Sequence, residues 1–240
     1  MLLTPRAEAL MPQIEQVLSA VRGMLDQRAF DPGQASGSVR IRATEGAVLA
    51  VLPPVLTDIA KLAPHVKVEV SSHMSSAYAS LCSGDADAVL DVVDSPLGSE
   101  FESQGLFSNT LVCVISAEKR RSSISPEKYR TASHAAIEGG TNTFIESALA
   151  AQGIKRHVAL TLPGFLTAAS SIVHSDLILT MPRTLGAKAC ELFPLRMLEL
   201  PVKVKPVSLS LVWHTRDTDD PLQRWVRERI IQAGLAIPNI

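Results

Sequence analysis

The apolar positions of this chain first recur with a helical period. They then switch repeatedly between strand and helix periods. Leu10, Ile14, Val17, Val21 and Met24 lie four, three, four and three residues apart, a heptad seam that Leu18 and Leu25 widen. Thr4 suits the N-cap of this helix and Pro5 its first turn, while Pro12 kinks it or marks its true start. The segment Phe30-Asp31-Pro32-Gly33-Gln34-Ala35-Ser36-Gly37 reads as a turn-rich linker. An apolar helix face tied to a separate domain needs a partner helix or an upstream domain to cover it. The alternative is an ordinary helix packed on its own domain.

Beyond the linker, residues 38–43 alternate as a strand. Val48, Leu52, Val55, Ile59 and Leu62 give helical spacing over 46–62, with Pro53-Pro54 bending or restarting that helix. A strand follows at 66–70, a short helix over 75–82 ending at Gly84, and strands at 86–90, 101–107 and 110–116. A second cycle starts with a short helix at Ser125-Pro126-Glu127. It continues with a strand at 135–137, a helix over 141–152, a strand at 157–162 and a helix over 165–173. Strands follow at 176–180, closed by Pro182, and at 195–200 and 207–211. Asp219-Asp220-Pro221 caps a final helix with Leu222, Trp225, Val226 and Ile230 on one face. Alternating strands and helices predict an α/β fold of mostly parallel sheets, and two cycles predict two similar lobes.

Composition narrows the function classes. With 240 residues, 46% hydrophobic and 20% charged, the chain can bury a sizeable core. Aromatic residues make up only 4%, which argues against a stacking surface for nucleic acid or carbohydrate. A net charge of −1 supplies no general attraction to nucleic acid or to an anionic membrane. Cys82, Cys113 and Cys190 lie far apart among apolar neighbours, the pattern of buried free thiols rather than of disulfides or a zinc site. A signal-peptide pattern and a membrane-spanning stretch are both missing, so a soluble cytoplasmic protein is expected.

Several stretches, taken in order, resemble the LysR-type transcriptional regulators. Leu3-Thr4-Pro5 and the helix after it resemble the end of their winged helix-turn-helix and the dimerising linker helix. Val39-Arg40-Ile41-Arg42-Ala43 with Leu52-Pro53-Pro54-Val55-Leu56 resembles the opening of their effector-binding domain, as does Ala63-Pro64-His65 with Val66-Lys67-Val68-Glu69-Val70. Ser83-Gly84-Asp85-Ala86-Asp87-Ala88-Val89-Leu90 resembles their glycine-x-x-aspartate strand. Gln152-Gly153-Ile154-Lys155-Arg156, His174-Ser175-Asp176-Leu177-Ile178 and Leu211-Val212-Trp213-His214 resemble the regulators of nodulation and aromatic degradation.

The resemblance implies two Rossmann-like lobes joined by crossover strands, as in type 2 periplasmic binding proteins, after an N-terminal linker helix. The expected organisation is a linker and dimerisation helix at 1–30, a first lobe of 38–116 plus 207–235, and a second lobe of 117–206. The implied partners are a small-molecule effector, the chain itself as dimer or tetramer, and RNA polymerase. Promoter DNA is expected to bind only through the family's winged helix-turn-helix, which is missing from this chain. No cofactor, metal or membrane is expected.

In open α/β sheets ligands bind beyond the carboxyl ends of strands, where helix N-termini present free N–H groups. Thr44-Glu45-Gly46, Met74-Ser75, Gly140-Thr141-Asn142 and Gly164-Phe165 stand at such junctions, with Met181 completing the candidate set. Glycines, hydroxyls and an amide suit a small anion held without a buried arginine. Ser75 and Thr141 are equally readable as plain helix caps, and Phe165 as a core residue rather than the wall of an aromatic site. Glu45 and Asp94 at the same mouth count against a strongly anionic ligand unless they turn outward. The expected effector is a small organic acid, with aromatic acids among the candidates.

A solute-binding protein of a transporter shares this fold and is one alternative, although the heptad helix has no role there. A small α/β enzyme is the other. The chain has no nucleophile elbow, phosphate loop or metal-binding spacing. His174-Ser175-Asp176 are neighbours in an extended strand and cannot converge as a triad, so no catalytic residue is assigned.

Overall fold

The computed structural model describes Arg6, Ile14, 30–93 and 95–239. The chain divides into one unit of residues 1–31 and another of 32–240. In the first, Arg6 and Ile14 are helical; the rest of the Leu10–Met24 seam lies outside the described residues.

The second unit holds two five-stranded sheets. The first contains β1 (Gly37–Ala43), β2 (Val66–Ser71), β3 (Ala88–Val92), β4 (Phe101–Asn109) and, from the far end of the chain, β10 (Val207–His214), in the order β2-β1-β3-β10-β4. β1 runs parallel to β2 and β3, and β10 antiparallel to β3 and β4. The second sheet contains β5 (Leu111–Ser116), β6 (Ser133–Ile137), β7 (His157–Leu162), β8 (Ile178–Pro182) and β9 (Leu195–Glu199), in the order β7-β6-β8-β5-β9. β6 is parallel to β7 and β8, and β5 antiparallel to β8 and β9. Each sheet is thus three parallel strands, one reversed strand and an edge strand, and the chain crosses between sheets twice.

Seven helices cover these sheets among the described residues: α1 (Glu45–Leu62), α2 (Ala77–Ser83), α3 (Pro126–Thr131), α4 (Gly140–Ala150), α5 (Phe165–Ser171), α6 (Arg183–Leu192) and α7 (Pro221–Leu235). Val39, Ile41 and Ala43 of β1 meet Val51, Leu52, Val55 and Ile59 of α1 and Val226 and Ile230 of α7 in one core. The other face of that sheet packs Val89 and Val212 on Ala77 and Leu81 of α2. Val112 and Val114 of β5 point toward α5 and α6, while Leu111, Cys113 and Ile115 point toward α3 and α4. That alternation is the period of a strand buried on both faces.

Three caps follow the expected chemistry. Thr44 Oγ1 accepts the Ala47 N–H at 3.3 Å, Ser125 Oγ the Lys128 N–H at 3.2 Å, and Asp220 Oδ1 the Gln223 N–H at 2.8 Å. Proline occupies the first helical position of α3 and of α7.

Four expectations need correction. Residues 111–116 belong to the second sheet, so the crossover falls at Thr110 and not after Ser116; periodicity reveals a strand without saying which sheet recruits it. The 183–192 stretch is helical and was not anticipated, because Pro182 supplies no side-chain cap and its buried residues, Leu185, Gly186 and Ala189, are mostly small. α1 runs through Pro53-Pro54 without restarting. α2 begins at Ala77, so Ser75 is not its cap; Ser76 takes that position and makes no side-chain capping bond.

Candidate functional site

The carboxyl ends of both sets of parallel strands face a shared cleft. It is lined by Thr44, Gly46 and Ala47 at the start of α1, Val92 after β3, and Phe107 and Asn109 of β4. Thr141 of α4, Phe165 of α5, Pro182, Thr184 and Leu185 at the start of α6, and Val207 and Leu209 of β10 complete it. Counted out to its open mouth, the space is about 400 Å³. The walls are mainly aliphatic and aromatic, and among the described residues no lysine, arginine or histidine lines them.

The polar groups fall into two kinds. Some are already satisfied within the protein. Asn109 Nδ2 donates to Thr184 Oγ1 at 2.6 Å, and the Thr184 N–H donates to Asn109 Oδ1 at 3.3 Å. The Arg183 N–H donates to the Thr110 carbonyl at 2.8 Å. The N-terminus of α6 is therefore closed by the crossover itself. Others remain open. Thr141 is 6% exposed, and its hydroxyl makes no hydrogen bond among the described residues. The first N–H groups of α1 and α4, including those of Gly46 and Thr141, have no intrahelical partner.

Glu45 crosses the cleft. Its Oε2 accepts the Phe165 N–H, and at 3.4 Å the Leu166 N–H, at the start of α5 in the other lobe. A Cβ on Gly164 would come within 2.6 Å of that carboxylate. The glycine is needed for space and not for its backbone angles, since its φ of −155° is ordinary extended chain.

Of the sequence candidates, Thr44, Thr141 and Phe165 line the cavity, Glu45 and Gly164 meet beside it, and Gly140 opens α4. Phe165 is both a wall and a core residue, 2% exposed and packed with Ala168 and Leu185. The other four candidates are placed elsewhere. Met74 and Ser75 lie in the loop before α2, Met74 against its apolar cluster and Ser75 exposed. Met181 is fully buried in the second-lobe core, because alternation along β8 turns it inward. Asn142 is taken by a neighbour, its Oδ1 accepting from Arg156 Nη2 at 3.0 Å. Asp94 lies outside the described residues.

Arg156 belongs to a buried polar cluster behind α4. Its side chain also donates to Glu146 at 2.5 and 3.1 Å. Tyr129 and Thr180 share a hydroxyl hydrogen bond of 2.8 Å, and His134 donates Nε2–H to the Tyr129 carbonyl at 2.8 Å. Burial pushes the neighbouring Cys113 thiol up to about 12 and raises the Tyr129 phenol, while it lowers the His134 imidazole.

Asn109, Thr184 and Leu185 were missed because α6 was missed. A polar residue at the end of β4, followed by a strand that changes sheet, was the available signal.

Residues 32–234 match the LysR substrate binding domain. The chain belongs to that family. It is 28% identical to the HTH-type transcriptional regulator SyrM 1 of Sinorhizobium fredii, over 97% of this chain and 69% of that protein. It is 27% identical to nodulation protein D 1 of Rhizobium leguminosarum bv. phaseoli, over 98% of this chain and 77% of that protein. A structure described as a probable transcriptional regulator from Pseudomonas aeruginosa superposes with a TM-score of 0.77 at 26% identity, covering 95% of this chain and 77% of the other. The effector binding domain of QuiR in complex with shikimate shares the fold alone, with a TM-score of 0.69 at 13% identity over 83% of this chain and 98% of the other. This LysR chain is thus the effector-binding part of a transcriptional regulator with the two-lobed, periplasmic-binding-protein-like fold. Among the described residues, no helix is long and apolar enough to cross a membrane.

Proposed function

We propose that this LysR domain senses a small organic acid held between its lobes, and that it works in the cytoplasm as a self-associating piece of a DNA-binding regulator. One observation carries the acid reading: Thr141, 6% exposed as a residue, lines the cavity with a hydroxyl that no hydrogen bond among the described residues occupies, beside free N–H groups of α4 and opposite those of α1. A hydroxyl that opens into a cleft with no partner in the protein is free to bond a ligand or a water. The two helix N-termini add partial positive charge where the lining has no cationic side chain. Phe107, Phe165, Leu185 and Leu209 offer the apolar body of such an acid its contact. Promoter DNA is left to a winged helix-turn-helix, consistent with a chain that spans 69–77% of its first two relatives.

Thermal shift with a panel of carboxylates tests the reading. A ligand at about a hundred times its Kd should stabilise the domain by about 2.7 kcal/mol. A panel of aliphatic, alicyclic and aromatic acids that produces no shift overturns the ligand class and leaves the family assignment untouched.

A further inference from the structure

Glu45 occupies the first helical position of α1, between two cavity-lining residues, Thr44 and Gly46. Its carboxylate is held on the backbone of Phe165 and Leu166, and Gly164 leaves the room for it. Two N–H donors stabilise that negative charge without cancelling it. Among the described residues, no lysine, arginine or histidine lines the cavity to do so.

We propose that Glu45 sets the charge the cleft accepts: it admits acids with a single negative charge and rejects their dianionic counterparts. The proposal rests on the acid reading above and deepens it. A first carboxylate meets the free N–H groups of α1 and α4 and the Thr141 hydroxyl. A second finds no cationic side chain in the lining and adds its charge beside Glu45. In a partly dehydrated cleft like charges repel far more than in water, and a desolvated charge without a partner is costly. Gly164 fits this role, since any side chain there would displace the carboxylate from its seat.

The test uses two ligands of the same outline that differ by one charge, terephthalate and 4-carbamoylbenzoate, with benzoate as reference. Isothermal titration of the chain should give an affinity for 4-carbamoylbenzoate about tenfold or more above that for terephthalate. In Glu45→Gln, which keeps an oxygen to accept the Phe165 N–H, that ratio should collapse toward one. Circular dichroism and melting establish that the variant is folded. If it is not, the ligand pair on the unaltered chain decides alone. Equal affinities on the unaltered chain overturn the proposal, as does a ratio that survives Glu45→Gln. Binding of benzoate together with either result sinks the charge filter alone, whereas failure of all three acids to bind overturns an aromatic-acid site and the filter with it, and leaves the wider acid reading to the carboxylate panel.

Discussion

Replacing Thr141 by valine separates ligand binding from folding. Valine keeps the shape of the side chain and removes only the hydroxyl. In the free domain Thr141 is 6% exposed as a residue and its hydroxyl makes no hydrogen bond among the described residues, so no intramolecular bond is lost. With no intramolecular bond to lose, the free Thr141→Val domain should melt close to the original. With an acid bound, the hydroxyl donates to a carboxylate, and such a charge-assisted bond contributes roughly 1.5–3 kcal/mol. Affinity should therefore fall about 10- to 150-fold. Thr44→Val is the informative contrast, because Thr44 Oγ1 holds the Ala47 N–H at 3.3 Å. Losing that cap costs about 1 kcal/mol, which lowers the Tm of a domain this size by about 2–4 °C. Thermal melting of both free variants, followed by titration with benzoate or the best-binding acid, measures both effects. Undiminished affinity in Thr141→Val would remove the hydroxyl from the site, and a clear drop in its ligand-free Tm would refute the claim that it is unpartnered.

Two further outcomes follow from the buried polar cluster. His134 is fully buried, its Nδ1 has no partner among the described residues, and burial first and then the nearby Arg156 charge lower its pKa. Unfolding frees the imidazole to protonate at its ordinary value near 6.5, so the unfolded state binds more protons just below that pH and stability falls as pH drops from about 6.5 toward 5. Urea melts across that range should show the slope, and His134→Gln should flatten it; an equal slope in the variant assigns it elsewhere. Of the three cysteines read from the sequence as buried, only Cys113 is so: Cys190 is half-buried and Cys82 exposed. Cys113, with its thiol pushed up to about 12, should resist iodoacetamide at pH 8 while Cys82 is alkylated, as peptide mass spectrometry would record. Labelling of Cys113 before Cys82 in folded protein would contradict its burial.

The strand and helix periods carried most of the architecture. The pattern over 157–162 coincides with β7, and the Asp220-Pro221 signal marks the start of α7. Where the reading failed, the deciding physics was not local. Both faces of β5 are apolar, so its pattern could not tell one sheet from the other. α6 packs through Leu185, Gly186 and Ala189, so its buried stripe holds a single large apolar residue in an otherwise polar stretch. A Cβ on Gly186 would lie 2.8 Å from Val112 Cγ2, so close packing on β5 explains the small residue. Pro53 and Pro54 leave two N–H donors out of α1, yet with Val51, Leu52 and Val55 buried the helix continues unbroken through that position in the chain. In the cleft, Thr44, Thr141 and Phe165 could be found because helix starts after strands carry recognisable residues. Asn142 has the same signature, but Arg156 takes it from a distance in sequence that no local pattern spans.

The late arrival of β10 has a consequence for synthesis. All five strands of the second sheet are emitted together, within 111–199. The first sheet has four of its strands by Asn109, but among the described residues β4 pairs with no strand except β10, and β10 is the last to be made. Until residues 207–214 leave the ribosome, β4 is an unpaired ribbon carrying Leu106 and Phe107, the kind of exposed edge that aggregates. The lobe begun first is therefore finished last. A premature stop anywhere between Leu200 and Val207 would release a chain whose second sheet is whole and whose first is split down the middle.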